Sequence, residues 1–115
     1  MENWFYMSTE ERTAADLKEA AADIAGIEID LWREANILEL TLKNGVIDFE
    51  PMKPYFKEKA DNEYLESRQI KTLFAVTADR ECEKEAEKIF AAIVQKAGGF
   101  FCGDSADFQP VIGKN

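Results

Sequence analysis

The stretch that most restricts the fold is residues 70–99, where a period-two run passes through a polar turn into an amphipathic helix that ends on paired glycines. Ile70, Thr72, Phe74 and Val76 alternate with Lys71, Leu73, Ala75 and Thr77, and branched and aromatic side chains suit a half-buried pleated strand. Beyond the turn, Cys82, Ala86, Ile89, Phe90, Ile93 and Ala97 recur at helical spacing and draw one apolar stripe. Thr77 or Asp79 is expected to cap this helix by accepting from a free backbone N–H. Gly98 and Gly99 should stop it, because glycine enters the left-handed region without a Cβ penalty. A stripe of this kind needs a sheet to lie on.

The rest of the chain supplies one. The aromatic run over residues 4–7 reads as a strand, and Ser8-Thr9-Glu10-Glu11 follows with the spacing of a capping box. The helix it announces should reach Ile24 or Ala25 and end at Gly26, with Ala14, Leu17, Ala21 and Ile24 on one face. Ile27, Ile29 and Leu31 then alternate with Glu28, Asp30 and Trp32, and Leu38, Leu40 and Leu42 with Ile37, Glu39 and Thr41. Asn44-Gly45 predicts a tight hairpin with positive φ angles, returning through a third strand over residues 46–50. Pro51 and Pro54 are read as ending that run, and a short helix near residues 61–68 breaks what is otherwise a 19-residue loop. After the glycine pair, residues 100–102 and 108–112 read as two short strands, the last placed at an edge by Pro110, which has no N–H to donate.

Strand, helix, glycine stop and antiparallel strands thus occur twice in the same order. The expected architecture is one α+β domain over residues 1–115, a two-layer sandwich with two helices packed on one face of an antiparallel sheet. Either a β-α-β-β unit used twice or a ferredoxin-like split β-α-β arrangement fits the pattern.

Composition narrows the chemistry. Histidine is absent, which removes the commonest general base and the commonest zinc ligand together. No Walker loop, dinucleotide glycine fingerprint, Cys-x-x-Cys pair or Gly-x-Ser-x-Gly elbow occurs, so the chain is read as non-enzymatic, without cofactor or metal. Cys82, on the apolar stripe, and Cys102 are read as reduced core thiols. No apolar run approaches the roughly 20 residues that span a bilayer. The start Met1-Glu2-Asn3-Trp4-Phe5 lacks the basic region of a secretory signal, so a cytoplasmic location is expected.

The net charge is −9, and residues 1–50 carry most of it, with 12 acids against 4 bases. Direct contact with nucleic-acid phosphates is disfavoured by that sign. If both helices cover one sheet face, the other receives Glu28, Asp30, Trp32, Glu39 and Asp48: carboxylates around an aromatic. Those five are the candidate partner-binding residues, and a more basic protein is the expected partner, since a one-signed field steers association and aromatics anchor interfaces. One version of that function is an inhibitor or immunity-type factor presenting carboxylates in place of phosphates. The alternative is a ligand-sensing domain with a pocket between helices and sheet lined by Trp4, Tyr6, Phe74, Phe90 and Phe101. A homodimer through a sheet edge or face stays open at this stage.

Overall fold

The computed structural model describes residues 2–113; Met1, Lys114 and Asn115 lie outside them. The elements run β1 (Asn3–Ser8), α1 (Ala14–Ala21), β2 (Glu28–Trp32), β3 (Ile37–Leu42), β4 (Gly45–Met52), α2 (Lys59–Ser67), β5 (Thr72–Ala78), α3 (Glu83–Ala97), β6 (Phe100–Gly103) and β7 (Val111–Gly113). The fold is α+β. All seven strands described form one antiparallel sheet in the order β2-β3-β4-β5-β1-β6-β7.

The β-α-β-β order does recur, as β1-α1-β2-β3 and β5-α3-β6-β7, but the strand arrangement does not repeat with it. In the second unit β6 sits directly beside β1. In the first, β4 takes the corresponding place beside β5 and pushes β2 to the outer edge. A four-stranded ferredoxin-like sheet is likewise not what forms, although β5-α3-β6 straddles β1 as a split β-α-β unit does.

The main core is the one the alternation predicts. Tyr6, Leu38, Leu40, Ile47, Phe49, Phe74 and Phe101 point to one side of the sheet and are fully buried under α1 and α3. Every member of the α3 stripe, from Cys82 to Ala97, is buried there too. The two helices expected on one face, α1 and α3, do share it; the third helix, α2, lies on the reverse face, where Leu65 joins Phe5, Met7, Leu73, Phe100, Cys102 and Phe108 in a second cluster. Its apolar residues had said only that α2 has a side to bury, not which face of the sheet would receive it.

Local chemistry moved several boundaries. The α1 capping box is Thr13-x-x-Asp16, not the one beginning at Ser8: Thr13 Oγ1 accepts from Asp16 N at 3.2 Å and Asp16 Oδ2 from Thr13 N at 2.8 Å. Ser8 is still in the sheet, where its Oγ accepts from Glu10 N. Asp79 does not cap α3; its carboxylate accepts from Val46 N at 2.9 Å, and a 3-10 turn at Arg80–Cys82 leads into the helix. β4 runs past Pro51, which pairs with Phe74, because β3 has already ended there and no neighbour needs the missing N–H. Phe108 is buried in the reverse-face cluster with φ 55° and does not extend β7, which does occupy an edge.

The Asn-Gly hairpin forms with a different turn. Leu42 pairs with Gly45, so Lys43 and Asn44 make the bend, and neither Asn44 nor Gly45 has a positive φ. Glycine is needed there for room: a Cβ on Gly45 would lie 2.9 Å from Asp79 Cβ and 3.0 Å from Cys82 Sγ. Gly99 answers a similar demand, since a Cβ would meet the Met7 carbonyl oxygen at 2.5 Å.

Candidate functional site

Because α2 covers only the β5-β1-β6 side of the reverse face, the β2-β3-β4 side is left open. Register decides what stands on it. Asp30 pairs with Glu39 and Glu39 with Asp48, so three carboxylates form one row across three adjacent strands, continued on β5 by Thr77. Directly opposed side chains on one sheet face stand about 4.5–5.5 Å apart at Cβ. Glu28 pairs with Thr41 in the next row, and Glu50 lies two residues beyond Asp48 on the same face of β4. None of the reverse-face positions of β2, β3 and β4 holds a basic residue.

The five residues named from sequence are therefore brought together. Glu28 and Asp30 are exposed, Glu39 and Asp48 half-buried, and Trp32 is 50% exposed. Trp32 pairs with Ile37, which gives the aromatic an aliphatic neighbour on one side. Met52, 38% exposed, stands on the same face at the same end of the sheet. The sequence hides it because Pro51 reads as the end of the strand; continued alternation from Asp48 through Glu50 is the signal that places it.

Crowding of like charge shifts the titration of the row's middle member. A hydrogen bond shared with Asp48, partial loss of water and the negative charges of Asp48 and Asp30 together hold the Glu39 carboxyl above its ordinary pKa. In its protonated form Glu39 can donate to Asp48. Like charges facing each other across strands lower stability.

Other chemistry is not favoured by the geometry. Both cysteines are free and buried, on opposite faces of the sheet, so they are not placed to bridge. Burial raises the Cys82 thiol above its ordinary value, and burial pushes Cys102 up to about 12, which keeps both in the less reactive thiol form. Among the described residues no group of three acidic or thiol ligands is spaced to hold a metal ion, and no helix is long and apolar enough to cross a membrane.

The five aromatics proposed to line a pocket are packed against one another instead. Phe90 stacks on Phe101 with ring centroids 4.1 Å apart, and Trp4 meets Phe90 edge-on at 5.3 Å. An open groove of about 520 Å³ lies elsewhere, between the segment after α1, the β3–β4 turn and the start of α3. Ile24, Ile27, Leu42 and Ile89 form its apolar wall, and Lys43 and Lys88 stand on its lining with Glu85. Comparison with family models, with curated proteins and with solved structures returned no match.

Proposed function

We propose that this is an acidic, non-enzymatic protein that binds a more basic protein through the open face of β2, β3 and β4, as an inhibitor or immunity-type factor whose carboxylates stand in for phosphates. The observation that carries the reading is the row Asp30, Glu39 and Asp48, beside a half-exposed Trp32. A fold gains nothing from opposing three like charges on a wet face, and rules of local stability are most often broken where a site is being served. Lysine and arginine side chains from a partner would relieve the repulsion. Trp32 and Met52 supply apolar area at the end of the same face, in the manner of interface anchors.

The test is a paired measurement on the variant carrying Trp32→Ala and Asp30→Lys. Basic proteins should be captured by the parent chain at low salt and lost at high salt, and the double variant should lose capture without any lowering of the Tm. Equal capture by parent and variant overturns the assignment.

A second reading, a ligand-sensing role, is favoured by the groove, not by the aromatic core. Its apolar wall with two lysines suits a small molecule with a greasy body and an acidic head. Fluorescent fatty-acid displacement, weakened by Lys43→Glu with Lys88→Glu, is the expected behaviour; no displacement at all removes this reading.

A further inference from the structure

The carboxylate row ends on β2, and β2 ends the sheet. Its five residues pair one for one with β3, so every second residue directs its N–H and C=O outward to no strand. Natural edges are blunted by short length, by charged side chains, lysine above all, by a proline or by a bulge. The five residues Glu28-Ile29-Asp30-Leu31-Trp32 include no lysine or proline, and their continuous register leaves no bulge; the charges they carry are both acidic. The opposite edge, β7, is only three residues long and follows Pro110.

We propose that an extended segment of the basic partner adds to β2 as an eighth strand, with Lys or Arg at alternate positions on the open face and apolar residues between them. This rests on the reading that the partner is basic, and it adds how the partner is held. A basic side chain opposite Asp30 continues the row with the opposite sign, turning a repulsive line into a neutralised one. The intervening apolar residues fall on the helix-covered side, next to Ile29 and Leu31. Those two are only half-buried, so the core is left unsealed along this edge. A recess of about 340 Å³ lined by Thr13, Ala15, Arg33 and Asn36 lies beside the end of the strand.

The edge is held in position. Asn36, at φ 56°, closes the turn after β2, and its Oδ1 accepts from Ala14 N at 2.6 Å, tying the hairpin to the start of α1. Charge also selects the occupant. Antiparallel pairing of two copies about Asp30 would set Asp30 against Asp30 and join two rows into a line of carboxylates from both chains. The strand that would template self-association thus opposes it, while a basic strand is accepted by the same residues.

The test uses the full chain, labelled with nitrogen-15, and two synthetic peptides of about ten residues, the length of a long strand. Both alternate Lys and Val; one is N-methylated at every second residue and cannot complete a ladder. The plain peptide should slow amide exchange within residues 28–32 and bind at least about tenfold more tightly than its methylated twin, because main-chain pairing supplies much of the affinity in strand addition. Asp30→Lys should remove that preference. Equal, salt-sensitive binding of both peptides, with shifts centred on Glu39 and Asp48, overturns strand addition but leaves a basic partner on the face. Binding of neither at low salt overturns both readings. A dimer at neutral pH whose β2 amides are already protected without peptide assigns the edge to a second copy and overturns the proposal.

Discussion

Glu39 is the residue on which the charge of the open face converges, with Asp30 on one side and Asp48 on the other. A carboxyl whose folded pKa is raised binds protons more readily in the folded chain than in the unfolded one. Its contribution to stability is therefore full below the ordinary glutamate value and is lost as pH rises through the raised value. Replacing Glu39→Gln should raise the Tm at pH 7 and leave it nearly unchanged at pH 3, where the carboxyl is already protonated. Thermal melts at the two pH values check this, and an equal effect at both rules out the charge row as the cause. Period-two alternation alone sufficed to bring Glu28, Asp30, Trp32, Glu39 and Asp48 to one face. That Asp30, Glu39 and Asp48 share one row depended on the lengths of two turns, which polar turn residues do not specify closely.

At the scale of elements, the joint between the β3–β4 hairpin and the start of α3 shows what sequence patterns convey poorly. Asn44 Nδ2 donates to the Glu81 carbonyl at 2.7 Å, and Asp79 bonds Val46 through both its carboxylate and its backbone N–H. Each of these residues looked like an ordinary turn or cap residue, and each serves a partner more than thirty positions away. Gly45 makes the joint possible by letting the hairpin approach to within contact of Asp79 and Cys82. Gly45→Ala should therefore destabilise by about 1–3 kcal/mol, the range for forcing extra volume into a packed site. Urea denaturation measures it; a loss below a few tenths would mean that the joint yields freely. Strands and helices were legible because their signals are local and repeated. The cap of α1 was misplaced by five residues because two Ser/Thr-x-x-acid spacings follow one another, and only the backbone of Ser8 in the sheet decides between them.

Taken whole, the molecule has unequal thickness. Over β5, β1 and β6 the sheet is covered on both faces, by α3 on one and by α2 with its flanking loops on the other. Over β2, β3 and β4 only one face is covered. Both cores should matter to folding: Phe90→Ala should cost about 3–5 kcal/mol and Leu65→Ala about 2–5. Trp32→Ala, on the open face, should stay within about 0.5. Chemical denaturation of the three variants separates the regions, and a Leu65→Ala protein as stable as the parent would mean that α2 is only loosely attached. The number of layers over each strand was not readable in advance, since α2 carries the same kind of apolar side whichever face it covers.

Strand order has a further consequence for how the chain comes together during synthesis. Residues 28–52 can zip into their three-stranded ribbon from neighbours in sequence alone. The interior strand β1, with its unbroken Trp4-Phe5-Tyr6-Met7, has no companion until residues 72–78 and then 100–103 have been made. Its greasiest segment is thus made well before both of its neighbours, and long-range closure of that kind is the slow, aggregation-exposed step in assembling a sheet.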